Sequence, residues 1–538
     1  MKKIILLLSP LLLYAELTLK ELEKSPKGHV RNFKIWQFMD KDISPAEADA
    51  AYCLVDGYDK KIFNRYAKKT LNKVVKEKYR CSHLKTQALL HETNATCLDQ
   101  GFSLKSALKL NNQQRTKICK TLDNSNAQKS KLIALMNGKN LARETLKFGS
   151  KAYLEFFNTI GSANRQKLFN LKLPQKDINA LAKDKRFARA IKYIVTDPKM
   201  NNMQESLLLL KPQELSARSY FFLGLNALRF KATKKAMHYF EISQKKAYYQ
   251  MDKDKALFWK YLASNKKEYL KKLTLSSDIN IYTLYAKEKF KLEVNNYFSK
   301  QALADRSSLI NLQDPYTWEE ILEEIRHADK QGLKRLLKEY SSKDDDVLHA
   351  FIYTKALKYK THNYIMPYKN ATDELSGDDK ALLYALARQE SHFIPSAISR
   401  SYALGVMQMM PFLIKSLAKQ KKESPSLDDM FNPYKNITYA KKHIRYLQKH
   451  LYHPLFIAYA YNGGIGFTKR HLLGGTFRKG SYEPFLSMEL MANTESREYG
   501  KKVLANYVIY KKILKEEVKI TSLFQMLTEP SRTDRFRI

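Results

Sequence analysis

Along most of the chain, apolar residues recur at three- and four-residue spacings, with lysine-rich polar positions between them. That is the period of helices with one buried face, whereas half-buried strands would alternate at every second position. The pattern runs from about residue 16 to 360 and predicts a succession of amphipathic helices. It is interrupted by the charged run Ser341–Asp346, and again over Thr361–Lys380, where Pro367, Gly377 and mixed charges predict exposed turns. Beyond residue 363 glycine becomes frequent: nine of the 17 glycines lie there, concentrated between Gly463 and Gly480. Loops shaped for close approach are therefore expected in the C-terminal stretch, and a site should be sought there. A different pattern opens the chain. Met1-Lys2-Lys3 precedes the apolar run Ile4–Tyr14 and then Ala15-Glu16, the layout of a secretory signal peptide cut after Ala15. The run is too short to span a bilayer, and no later stretch approaches spanning length, so no transmembrane span is expected.

One part of the helical array carries a finer signal. Tyr220, Leu223, Gly224, Ala227, Ala236, Phe240 and Ser243 fall at the positions of the tetratricopeptide helix–turn–helix pattern. Small residues there allow two antiparallel helices to approach, and the aromatic residues fill the space between them. Neighbouring segments such as Lys255–Leu273 keep the helical period without the pattern. The expectation is an irregular, TPR-like α-solenoid that buries its core by stacking neighbours.

Composition supports an all-α fold. With 44% hydrophobic and 12% aromatic residues the chain is no disordered polymer, and 17 Gly and 15 Pro in 538 residues are too few for a turn-rich β fold. At about 150 residues per domain, this length suggests three or four domains or one long repeat array. The 95 Lys+Arg against 54 Asp+Glu leave a net charge of +41. Such an excess suits a polyanionic partner or simply covers solvated helix faces, and the signal peptide turns the reading away from nucleic acid. Cys53, Cys81, Cys97 and Cys119 all lie in one N-terminal stretch. In an exported chain they predict one or two disulfides, with three full pairings open, and no zinc-type spacing accompanies them. Asn94, in Glu92-Thr93-Asn94-Ala95-Thr96, sits in an Asn-x-Thr glycosylation acceptor pattern. His443, His450 and His453 read as part of a lysine-rich solvated face, not a metal site.

The chemistry concentrates further on. Ala381–Phe393 reads as an apolar helix that delivers Glu390 near its end, followed by Ile394-Pro395. A carboxyl set against apolar surface stays protonated to higher pH and can serve as a general acid near neutrality. Ser391 follows Glu390 directly and Ser399 lies nine residues on. Then come Gly405-Val406-Met407-Gln408-Met409-Met410-Pro411, Ala460-Tyr461-Asn462-Gly463-Gly464 and Glu495-Ser496-Arg497-Glu498-Tyr499. In this order and spacing, the blocks resemble the catalytic domain of the soluble lytic transglycosylases, with its goose-type-lysozyme-like α fold. The motif resemblance spans about residues 363–515. It departs from the family pattern at Val406, Gly463, Ser496 and Gly500, where Leu, Ala, Thr and Val are usual, and at Tyr402, which replaces a loop glycine.

The resemblance implies a domain order: signal peptide 1–15, α-superhelical region 16–290, helical linker 291–362 and catalytic domain 363–538. It implies a periplasmic enzyme that cleaves the β-1,4 bond between N-acetylmuramic acid and N-acetylglucosamine in peptidoglycan without water, leaving a 1,6-anhydro end. Glu390 would act alone, first as acid and then as base. Ser399 and Gln408 would donate hydrogen bonds to the sugar, Met410 would wall it, and Tyr461 would stack on it or orient the reacting oxygen. Asn462 would stabilise its loop, and Glu495 with Tyr499, one helical turn apart, would buttress the Tyr461 loop or meet the N-acetyl group. A hydrolytic muramidase and a non-catalytic peptidoglycan-binding scaffold are the alternatives. Neither cofactor nor metal is implied. The expected partners are anionic glycan strands and proteins of the cell-wall machinery, and the expected state is a monomer.

Overall fold

The computed structural model describes residues 17–211, 214–308 and 310–538, so the signal-peptide segment expected over 1–15 lies outside the described residues. Among the described residues the chain is all-α, with one two-stranded parallel ribbon that pairs Tyr297–Phe298 with His362–Asn363. No described helix is long and apolar enough to cross a membrane. The chain divides into two compact units, one comprising residues up to 102 with 120–127, the other 103–119 with 128–538.

The first unit is built from short capped helices. Ser44 and Glu47 form a reciprocal capping box, with Pro45 at the first helical position, and so start the helix Pro45–Cys53. Its core gathers Leu22, Ile35, Phe38, Ala48, Ile62 and Tyr66, with Tyr52 stacked on Tyr66 at 4.0 Å between ring centroids. A disulfide joins Cys81 to Cys97 and so ties the helix Lys73–His83 to Ala95–Gly101. The second bridge allowed by the cysteine count is not made. Cys53 is exposed and belongs to this unit, whereas Cys119 belongs to the other, where its thiol bonds the Ser130 carbonyl at 3.4 Å. Asn94 is exposed and its Oδ1 accepts the Cys97 amide, capping the helix that follows.

In the larger unit successive helices pack on their neighbours. The hairpin Ala217–Arg229 and Thr233–Lys246 closes around Gly224, where an added Cβ would overlap the Phe240 ring. Phe221, Phe240 and Trp259 form one aromatic cluster, which carries the packing on to the helix Gln250–Ser264. The helix Ile281–Lys289 follows, and beyond it the helices Pro315–His327, Lys330–Glu339 and Asp346–Ala356 lie between the two strands of the ribbon.

The C-terminal helices are arranged about Thr494–Ile513. Gly377–Ser391 and Pro454–Gly463 both pack on it, and Tyr282 and Lys255 reach it from the preceding array. Close approach depends on Gly500, where a Cβ would overlap the Tyr459 ring. Ser376 caps Gly377–Ser391 by accepting the Asp379 amide, with Asp378 and Asp379 in the first turn, where negative charge suits the helix dipole. His453, expected on a solvated face, is fully buried: Nδ1 accepts the Leu455 amide and Nε2 meets the Leu523 carbonyl at 3.0 Å, so it caps Pro454–Gly463.

Gly224→Val tests the hairpin: overpacking against Phe240 should destabilise the protein by about 1–3 kcal/mol. Adding Phe240→Leu should recover part of the fall in thermal midpoint, whereas an unchanged midpoint in the single variant would show that the helices do not meet there.

Candidate active site

Glu390 is the penultimate residue of the helix Gly377–Ser391. Immediately after it the chain reverses through His392 and Phe393, at φ of 52° and 71°. These left-handed conformations are costly for residues with a Cβ and are held by their surroundings. Ser391 donates from Oγ to the Val406 carbonyl at 2.8 Å and so ties the helix end to the loop beyond it.

The Glu390 residue is only half-buried, yet protein crowds its carboxyl closely enough that loss of hydration dominates its proton equilibrium. Burial raises its pKa to about 8. Tyr499 opposes the shift by donating its phenolic hydrogen to Oε1 at 2.6 Å, and the Glu495 charge adds to it. Tyr461 is also close enough for its own ionisation to be suppressed by Glu390, after burial. The carboxyl is thus held protonated around neutrality with one donor already in place for its anion.

The loop 397–410 forms the neighbouring wall. Ser399 accepts the amides of Ser401 and Ala403 on Oγ at 3.2 and 2.9 Å. Leu404 and Met409 exchange backbone hydrogen bonds at 3.0 and 2.9 Å. Gly405, at φ 76°, lies so near the Met430 carbonyl and Asn436 that no side chain fits. Tyr402, where the family pattern has glycine, takes φ 64° with its side chain fully buried. The glycine-like turn is therefore kept, with ring burial offsetting a backbone cost of about 1–2 kcal/mol. Gln408 directs Nε2 to the carbonyls of Ala397 and Gly405 at 3.0 and 2.9 Å. Its donors thus hold the loop instead of facing outward, and its Oε1 is left as an acceptor. Met410 leads, half-buried, into the helix Pro411–Lys421.

Tyr461 crosses from the helix Pro454–Gly463 and donates to the Met407 carbonyl at 2.8 Å, joining the two walls. Asn462 bonds Glu495 through Nδ2 at 3.1 Å and accepts from Ser496 Oγ at 2.7 Å. Gly463 leaves room for that serine, since a Cβ there would come to 2.7 Å from Ser496 Oγ. Glu495 is exposed, and Tyr499 is buried against Glu390, so these two residues of one helix do different things. Asp429 is engaged by Lys435 at 2.9 Å and by the Ser426 amide, away from the groups that act on Glu390.

Two residues to which the sequence reading gave no role also hold the site. Asn436, fully buried in the helix Pro433–Gln448, donates to the carbonyls of Leu404 and Met430 at 2.9 and 3.0 Å and accepts the Met407 amide at 2.8 Å. Arg388, two residues before Glu390, bonds the Asn363 carbonyl and Asn506 Oδ1. An asparagine on an otherwise apolar helical face was the signal for the first; nothing in local spacing pointed to the second.

Residues 367–480 match the family model described as the Transglycosylase SLT domain. The chain is 32% identical over 125 residues to the membrane-bound lytic murein transglycosylase C of Edwardsiella ictaluri, covering 21% of this chain and 34% of that one. It is 31% identical over 125 residues to the protein of the same name in Photorhabdus laumondii, covering 21% and 35%. The matched stretch is thus about a third of the length of these curated relatives. The fold is similar over 93% of this chain and 90% of the other to an inactive mutant of the lytic transglycosylase Slt from Pseudomonas aeruginosa, with TM-score 0.51 and 15% identity.

Because the folded state holds Glu390 protonated up to about pH 8 while the unfolded chain ionises near the ordinary value of 4.5, folding is favoured below 4.5 and that contribution fades as pH rises through 8. Glu390→Gln should therefore leave the thermal midpoint nearly unchanged at pH 4 and raise it at pH 9. Parallel midpoint–pH curves for the two proteins would mean that the carboxyl is not desolvated.

Proposed function

We propose that the protein is a lytic transglycosylase of peptidoglycan, cleaving the β-1,4 bond between N-acetylmuramic acid and N-acetylglucosamine and closing a 1,6-anhydro ring on the muramic residue. The observation that carries this reading is Glu390, a carboxyl held protonated near neutrality and bonded to Tyr499, in the stretch that matches the Transglycosylase SLT domain. The names of the relatives support the substrate class.

In the first half-reaction Glu390 gives its proton to the glycosidic oxygen, and the C1–O bond breaks as the leaving sugar takes up that proton. Glu390, now a carboxylate, accepts the Tyr499 hydrogen bond at the moment its charge appears. Charge-assisted bonds are the stronger kind, and a water-poor site strengthens them further. In the second half-reaction the carboxylate removes the proton of the muramic 6-hydroxyl, whose oxygen attacks C1. Glu390 is thereby protonated again, and the ring closes without external water. Because nucleophile and electrophile share one sugar, effective molarity replaces a bound water and a second carboxylate. Gln408 Oε1 accepts from the acetamido N–H, while Ser399 shapes the loop on which the sugar rests. Met410 and Tyr461 flank it, and Ser391, Asn462 and Glu495 hold the frame. The same reading places the mature protein in the periplasm, with glycan strands as its polyanionic partner.

A hydrolytic muramidase is favoured by one observation, the charge of Glu495 acting on Glu390, since a second carboxylate is what hydrolysis by water would use. The products decide. Digested sacculi analysed by mass spectrometry should give muropeptides one water lighter than the hydrolytic products, and Glu390→Gln should lower their rate of release at least about 100-fold. Full-mass products would identify the muramidase, and retained turnover in Glu390→Gln would remove Glu390 from the chemistry.

The net charge of +41 makes a second expectation. Sacculus binding should weaken as salt is raised from 0.1 M, where the screening length is about 10 Å, towards 1 M, where it is about 3 Å. Salt-independent pelleting would show that the lysine excess does not guide the glycan.

A further inference from the structure

A buried charge cluster lies on the far side of the helix that presents Tyr499. Lys501, with no exposed surface, donates to Glu489 Oε1 at 2.8 Å and lies 3.0 Å from Glu498 Oε2. Arg497, 1% exposed, donates from Nε to Glu498 Oε1 at 2.9 Å and from Nη1 to the Met491 carbonyl at 3.1 Å. Two further members come from the helical array. Lys255 approaches Glu498 at 3.8 Å and bonds Asp252, and the buried phenol of Tyr282 donates to Glu489 Oε1 at 2.5 Å and meets Lys501 Nζ at 3.2 Å. Three cations face three carboxylates, and the array's share of the cluster, Lys255 with Asp252 and the Tyr282 phenol, ties it to the helix Thr494–Ile513.

At about 100° per residue, Arg497 and Lys501 share one face of the helix Thr494–Ile513 with Glu498 at its edge, and Tyr499 and Asn506 lie nearly half a turn from Arg497 and Lys501. Asn506 bonds Arg388, and Tyr499 bonds Glu390, so that opposite face carries the active site. Buried ion pairs often stabilise no better than apolar packing would, but they tolerate only one register, because a slip leaves a charge unpaired in a dry interior. We infer that Tyr282 is a positioning residue for the proposed reaction: through Glu489 and Lys501 it fixes the register of the Thr494–Ile513 helix and so the contact of Tyr499 with Glu390.

The inference rests on the proposed function. The titratable groups facing Glu390 are Tyr499 and Glu495 from that helix and Tyr461 from Pro454–Gly463, with the His443 ring 5.6 Å from Tyr461. Of these, Tyr499 alone donates a hydrogen bond to the Glu390 carboxyl. Loosening it favours the neutral acid, so the alkaline limb of the kcat–pH profile should move to higher pH.

The test uses the full chain. Tyr499→Phe should shift that limb upward, Tyr282→Phe should shift it in the same direction with a several-fold fall in kcat, and the double variant should shift no further than Tyr499→Phe. A wild-type limb in Tyr282→Phe, whatever its thermal midpoint, or shifts that add in the double variant, would overturn the inference. If Tyr282→Phe does not fold, Glu489→Gln, which removes the charge but keeps an acceptor for Tyr282, is read by the same criteria. A limb unmoved in Tyr282→Phe but moved in Tyr499→Phe defeats this inference alone, whereas turnover retained by Glu390→Gln defeats the proposed function beneath it.

Discussion

A carboxyl group that must stay protonated near neutrality needs water kept away from it, and much of the C-terminal module answers to that need at Glu390. Desolvation alone would make the acid strong in holding its proton but poor at giving it up. The single hydrogen bond from Tyr499 supplies the counterweight, favouring the anion without restoring water. Both conditions require three helices to meet within side-chain contact around one carboxyl. The small residues Gly463 and Gly500 sit at close contacts between two of those helices, Pro454–Gly463 and Thr494–Ile513.

The loop beside Glu390 meets a related constraint by different means. It has little regular secondary structure to satisfy its backbone, so side chains from elsewhere do so: Asn436 from below, Tyr461 from across, Ser399 and Gln408 from within. The donors of Gln408, Asn436 and Tyr461 spent in this way are withdrawn from any ligand, a division of labour set by the backbone's demand for partners. The loop is thereby a wall whose shape is fixed by its own hydrogen bonds.

How much of this could be read from the chain depends on how far apart the interacting residues lie. Helical period and glycine placement identified the all-α fold, the hairpin around Gly224 and the stretch in which Glu390 stands. Ordered motif blocks brought Ser391, Ser399, Gln408, Met410, Tyr461, Asn462, Glu495 and Tyr499 together as one set. Periodicity places Glu495 and Tyr499 on one face but cannot say which neighbour each meets, and Tyr499 turns out to bond Glu390 itself. Gln408 was read as a sugar donor because spacing does not reveal that the loop consumes its amide. His453 looked solvated because its flanking lysines dominate the pattern, although its ring is buried. The Tyr282–Glu489 contact spans 207 residues, and no local period encodes a pairing at that range.

The contact between Gly500 and the Tyr459 ring has a consequence for how this module can change over time. The family pattern has valine at position 500, yet here the space of that side chain is already taken by an aromatic ring. A mutation to valine first would collide, and shrinking the tyrosine first would leave a void between two core helices. The two positions are therefore epistatic: each residue is acceptable only in the presence of the other, and a lineage passes between the two states through a compensated double step or a less stable intermediate.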